Sequence, residues 1–143
     1  MLLRRNPALQ VTLLGGRLGT EVSATFGEGT IAEIDRLQLD WAVVSPTSLD
    51  PRLGAMNYDW QEATVARAML AHARQRLLLA DAAKLGQSSR VQVCACSAID
   101  LLITEAGVAS RQAAGSDLRG QDQVGVGAVD ANFREDVVRG ETG

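Results

Sequence analysis

The stretch from Asp59 to Gly86 most constrains what this chain can fold into. It reads D-W-Q-E-A-T-V-A-R-A-M-L-A-H-A-R-Q-R-L-L-L-A-D-A-A-K-L-G, a helix pattern running into a buried strand and then a short polar loop. Asp59 is a good helix N-cap, and Glu62 stands three residues later, as in a capping box. Val65, Ala66, Met69, Leu70 and Ala73 form one apolar stripe at helical spacing, with Arg67, Arg74 and Gln75 off it. His72, the only histidine, falls at a surface or boundary position of that helix. Arg76 leads into L-L-L-A, an apolar run suited to a strand. Asp81 and Lys84 follow in the loop that Gly86 closes.

The remaining segments arrange themselves around this unit. L-Q-V-T-L-L, within residues 8–14, predicts a strand that stops at Gly15-Gly16. Those glycines fit either a tight turn or an anion cradle. Thr30 with Glu33 gives a second capping-box pattern, and Ile31, Ile34 and Leu37 predict a helix over about 30–38. W-A-V-V-S, residues 41–45, is too short for a helix and suits a strand covered on both faces. A long polar loop with two prolines and Gly54 then leads to Asp59. Strands are also expected at V-Q-V-C-A-C, 91–96, and at L-L-I-T-E, up to Glu105. Strands alternating with helices argue for an α/β layered fold, three layers with a largely parallel sheet flanked by helices. Residues 1–107 form the expected domain, and 108–143 a Gly-rich, weakly structured tail without a clear closing strand.

Composition narrows the function classes. The chain has 143 residues, with 46% apolar and 22% charged, which is enough for a single core. Aromatics are only 3%, so Leu, Val, Ile and Ala must fill that core. The net charge is −3 and no basic stripe is present, which argues against direct DNA binding by these residues. No apolar run is long enough for a membrane span, no secretory leader pattern opens the chain, and a cytoplasmic location is expected. Cys94 and Cys96 read as free buried thiols, since two ligands without partners make a poor zinc site.

The carboxylates Asp50, Asp59, Glu62 and Asp81, with Lys84, fall near expected strand C-terminal ends or helix N-termini. In a doubly wound sheet those places converge on one edge. A lysine and backbone amides there could hold a phosphate, and carboxylates could accept hydrogen bonds from sugar hydroxyls. Capping also accounts for Asp59 and Glu62, and a turn pair for Asp81 and Lys84. No nucleophile elbow, P-loop, metal-ligand cluster or Rossmann fingerprint is present, and no cofactor or metal is expected.

Residues 11–105 resemble the effector-sensing C-terminal domain of DeoR-type transcriptional regulators. The resemblance rests on five ordered landmarks: V-T-L-L-G-G-R, L-Q-L-D-W-A-V-V, G-A-M-N-Y-D-W-Q-E-A-T-V-A-R-A-M, L-L-L-A-D-A-A-K-L-G and I-D-L-L-I-T-E. It implies a fold similar to ribose-5-phosphate isomerase relatives and binding of a phosphorylated sugar or related metabolite. Homo-oligomerisation is also expected. DNA contact would come only through a winged helix-turn-helix absent from this chain. Gly15, Gly16, Asp50, Gly54, Glu62, Asp81 and Lys84 are the positions the resemblance assigns to lining or supporting the ligand site. The family's Ser/Gly/Thr-rich phosphate loop is also absent, and S-P-T-S-L-D replaces a glycine-containing segment. Two other readings stay open: a sugar-phosphate isomerase-like enzyme, and a degenerate fragment that only self-associates.

Overall fold

The computed structural model describes residues 7–8, 10–20, 24–104 and the backbone of 125–128. The chain runs β1 (Arg17–Leu18), β2 (Thr25–Phe26), α1 (Glu28–Ile34), β3 (Leu39–Val44), β4 (Ser48–Asp50), β5 (Gly54–Asn57), α2 (Trp60–Ala71), β6 (Ala73–Leu79), β7 (Val91–Cys94), β8 (Leu101–Thr104) and β9 (Gly125–Ala128). Short 3₁₀ turns stand at Ala82–Lys84 and Cys96–Ala98. The α/β class and the parallel sheet expected from the alternating pattern are what the chain adopts: β3-β6-β8-β9 pair in that order, all parallel. A smaller antiparallel sheet, β4-β5-β7, and the β1-β2 hairpin complete the described strands.

Parallel strands need a crossover, and α2 supplies the one between β3 and β6. Its start is fixed as the sequence implies: the Asp59 carboxylate accepts from the amides of Gln61 at 2.6 Å and Glu62 at 3.2 Å. Ala63, Ala66 and Leu70 form its buried face, with Val65 and Met69 only partly covered. They pack on Ala42 and Val44 of β3, Leu78 of β6 and Leu102 of β8. With few aromatics, this core is alanine-rich. Leu70 and Leu78 then carry much of the apolar burial, at about 1.5–3 kcal/mol each. Leu49, Ala55, Val93 and Ile99 extend the same core toward the small sheet.

Each strand of the parallel sheet is laid down beside the last, always in the same direction. α2, which crosses from β3 to β6, packs against Ala42, Val44, Leu78 and Leu102 on one face. The opposite face carries Trp41 and Val43 from β3, Leu77 and Leu79 from β6, and Leu101 and Ile103 from β8, in matching register. Trp41 is 49% exposed, Val43 50% and Leu79 39%.

Several local expectations change. Residues 10–14 form no strand, because no described strand lies alongside to complete a ladder. The first helix starts at Glu28, capped by Gly27, and ends at Ile34. Thr30 and Glu33 do not make a capping box. The Thr30 hydroxyl donates to Gly15 O at 2.7 Å, and the Glu33 carboxylate accepts from Gly15 N at 2.7 Å. The long loop before Asp59 contains the β4-β5 hairpin. A closing strand, β9, pairs with β8 from within the stretch expected to lack one; the rest of 105–143 lies outside the described residues.

Gly54 is required by both its backbone and its neighbours. Its φ is +83°, and a methyl group there would lie 2.0 Å from the Cys94 carbonyl oxygen. Gly86 has a similar φ, +77°, with open space around it. Gly86→Ala should therefore lower unfolding free energy by about 1 kcal/mol, and Gly54→Ala by about 3 kcal/mol or more. Urea melts of the two variants measure the difference. Equal losses would show that the Cys94 contact contributes nothing.

Candidate functional site at the edge of the parallel sheet

The C-terminal ends of the parallel strands meet at one edge of the molecule. Ser45 follows β3, Asp81 follows β6, and Thr104 ends β8. Because α2 runs back against the strand direction, its N-terminus returns to this edge too. In open α/β sheets such an edge is where ligands bind.

Two residues expected there from the sequence are brought together. The Asp81 carboxylate caps the 3₁₀ turn by accepting from Lys84 N at 3.2 Å. This frees the Lys84 side chain to cross to the end of β3, where its ammonium donates to Ser45 Oγ at 3.1 Å. Asp81 and Lys84 are therefore joined through the backbone amide of Lys84, and no ion pair between their side chains is found among the described residues. Ser45 is a participant that sequence reasoning missed. Its position just past an apolar strand was the available signal.

The segment that follows β3 ties the edge to α2. Thr47 N donates to Asn57 Oδ1 at 2.9 Å, and Tyr58 N donates to Thr47 Oγ1 at 3.4 Å. Asp59 follows directly. Beside it lies a cleft of about 560 Å³, whose walls include Arg17, Phe26, Tyr58, Trp60 and Glu62. Arg17 Nη2 donates to Gln61 Oε1 at 2.8 Å across the cleft, and the Arg90 guanidinium sits 4.2 Å from the Tyr58 ring centroid. Glu62 thus joins the site through the cleft wall, its amide already bonded to Asp59. Tyr58 and Trp60, both largely exposed, were not singled out from the sequence.

Gly15 and Gly16 shape the approach to this cleft from behind. Gly16 has φ +138°, and a methyl group on it would strike the Thr30 hydroxyl at 2.0 Å. The close fit of the glycine turn on α1 delivers Arg17 to the cleft.

Asp50 and Gly54 bracket the turn of the β4-β5 hairpin, away from Lys84's ammonium in contact terms. The Asp50 carboxylate accepts from the Ser88 hydroxyl and from the amides of Arg52, at 2.8 Å, and Leu53, at 2.9 Å. The Ser88 bond, followed by those from Leu53 and Arg52, holds the Asp50 carboxyl down at about 2. The Ser88 bond fastens the 87–89 segment, next to the loop that carries Lys84, to β4, while the Arg52 and Leu53 bonds close the hairpin turn. Cys94 lies close by, and burial together with the neighbouring Cys96 pushes its thiol up to about 11. It stays protonated at neutral pH and is a poor nucleophile.

A family model, the DeoR C terminal sensor domain, matches residues 1–106. The chain is 30% identical to the Glycerol-3-phosphate regulon repressor of Haemophilus influenzae, over 72% of this chain and 40% of that protein. It is 30% identical to the HTH-type transcriptional repressor CsqR of Escherichia coli, over 73% of this chain and 40% of the repressor. The HTH-type transcriptional repressor GlcR of Bacillus subtilis is 30% identical over 68% of this chain and 37% of its own length. The chain belongs to the DeoR C-terminal sensor domain family. It spans about two-fifths of the length of these curated relatives.

Asp50 predicts an acid limb in stability. Its folded-state pKa lies below the value of about 3.9 for an unfolded chain. Its contribution is therefore complete above pH 4 and is lost as pH falls from about 4 to about 2. In Ser88→Ala the Asp50 carboxyl should titrate at a higher pH, followed by side-chain carboxyl NMR. An unmoved midpoint would remove the Ser88 bond as the main cause.

Proposed function

We propose that this chain is the effector-sensing and self-associating part of a cytoplasmic transcriptional regulator of carbohydrate metabolism, and not an enzyme. Its effector is a phosphorylated sugar or related small metabolite. DNA recognition belongs to a winged helix-turn-helix outside residues 1–143. The observation that carries this reading is the Lys84 ammonium, held on Ser45 at the C-terminal edge of a parallel sheet, in a chain of the DeoR sensor family. Among the described residues the Lys84 ammonium is anchored by a neutral hydroxyl, which keeps its charge available for an anion. Asp81 holds that lysine's loop, Glu62 lines the neighbouring cleft, and Gly15, Gly16, Asp50 and Gly54 support the walls. The chain's named relatives are transcriptional repressors, which favours a regulator over an isomerase.

Glycerol 3-phosphate is the first probe to titrate, by calorimetry and thermal shift. It should bind the wild-type chain, and Lys84→Met should weaken binding about 10- to 100-fold through loss of a charge-assisted hydrogen bond. Absence of heat and of a thermal shift with millimolar sugar phosphates would remove sensing from this chain.

The exposure of Trp41, Val43 and Leu79 supports self-association through this sheet face, because parallel sheets normally have both faces covered. Trp41 and Val43 are the most exposed of its side chains. Sedimentation velocity should show an oligomer that Trp41→Glu converts to monomer with its circular dichroism unchanged. A wild-type monomer at high micromolar concentration would eliminate this interface.

A further inference from the structure

Two strand edges of the small sheet are closed. The Arg67 guanidinium donates to Gln92 O of β7. Leu85 bridges to Leu49 of β4, and Gly86 N donates to Leu49 O at 2.9 Å. The outer edge of β3, which ends the strand order β3-β6-β8-β9, has no such guard among the described residues. The direction of its peptide groups follows from its neighbours. Arg76 N donates to the Asp100 carboxylate at 2.7 Å, and Ala80 N to Ile103 O at 3.0 Å, so both residues turn their peptide groups toward β8. Alternate residues of a strand turn opposite ways, so Gln75 and Leu77 face β3. Their partners in the register are Trp41 and Val43. In a parallel ladder only one residue of each pair bonds across it, so Trp41 and Val43 turn their N–H and C=O groups outward. Both are about half exposed, whereas Ala42 and Val44, which face β6, are 1% and 7% exposed. Leu39, ahead of a gap in the register at Asp40, bonds to His72 O at 2.9 Å instead.

We infer that β3 pairs antiparallel with β3 of a second copy of this chain, across a two-fold axis at Ala42. This rests on the self-association reading above and names the strand that makes the contact. An edge with free peptide groups is a template for another strand, and proteins block it with proline or lysine where pairing is unwanted. β3 has neither. Its sequence, L-D-W-A-V-V, is self-complementary in this register. Trp41 lies opposite the partner's Val43, and Val43 opposite the partner's Trp41, each pair exchanging both of its N–H···O bonds. An aromatic beside a β-branched side chain is a favourable cross-strand pair. Asp40, the only charge in the strand, lies opposite the partner's Val44, so no like charges oppose. Both copies use the same residues, as a closed two-fold dimer requires. The pairing joins the exposed Trp41 and Val43 side chains of the two copies into one apolar face.

Val43→Pro separates edge pairing from packing of sheet faces. Proline keeps an apolar side chain but removes the outward N–H, and an edge strand accepts it where that N–H faces solvent. Sedimentation velocity should show a wild-type dimer. Val43→Pro should raise its dissociation constant roughly tenfold or more, through bonds lost on both sides of the two-fold axis, with circular dichroism unchanged. Backbone amide exchange on the wild-type chain adds a readout that needs no variant. The Trp41 and Val43 amides should exchange roughly tenfold or more slowly at high micromolar concentration than at dilutions where monomer dominates. An oligomer in which these two amides exchange equally fast at both concentrations would overturn the edge pairing and leave self-association standing. A Val43→Pro oligomer as tight as wild type would do the same. Should Val43→Pro fail to fold, the exchange measurement alone decides. A wild-type monomer at high micromolar concentration overturns both this pairing and the self-association reading.

Discussion

The parallel pairing of β3 with β6 is the constraint from which the rest of the structure follows. Leu39 to Val44 lie in register with Ala73 to Leu78, so the chain must return the length of the sheet between them. α2 makes that return. Its direction brings Asp59 and Glu62 back to the edge where β3 and β6 end. The same pairing sets Ser45 and the Asp81–Lys84 turn side by side, which allows the lysine to reach the serine hydroxyl. The site is thus a by-product of topology: residues 39 positions apart meet because two strands run the same way.

What was legible in the sequence was what local physics decides. Asp59 caps α2 through the amides of Gln61 and Glu62, and L-L-L-A forms a strand, though buried on one face only, with Leu78 covered and Leu79 exposed. The misreadings occurred where a residue's partner lies far along the chain. Thr30 and Glu33 have the spacing of a capping box, yet both bond to the Gly15 turn, 15 and 18 residues away. Residues 10–14 have strand composition, but composition does not supply a neighbour to pair with. The β4-β5 hairpin was missed because prolines and serines mask its strands. Its turn signal was nonetheless present in D-P-R-L-G, with Asp50 bonding the amides of Arg52 and Leu53 as an Asx-type turn does.

The candidate site shows a similar division. Lys84 and Asp81 could be placed from the loop after a buried strand. The roles of Gly54 and Gly16 could not, since both depend on what presses against them: a carbonyl of β7 in one case and the Thr30 hydroxyl in the other.

Surroundings also bear on where an anionic group is favoured. A helix N-terminus attracts anions through its free amides and its dipole. At α2 that role is taken by the protein itself, because the Asp59 carboxylate occupies the Gln61 and Glu62 amides. Glu62 adds a second negative charge in the first turn. A phosphate placed there would face two carboxylates, whereas Lys84 is held by the neutral Ser45 hydroxyl alone among the described side chains. The cleft beside α2, with Tyr58 and Trp60 on its wall, instead offers apolar ring surface and carboxylates able to accept from hydroxyl groups. On the proposed reading, an anionic group would be favoured over the strand edge beside Lys84 and disfavoured at the capped start of α2. Charge at the helix cap would contribute to that preference as much as charge on the lysine.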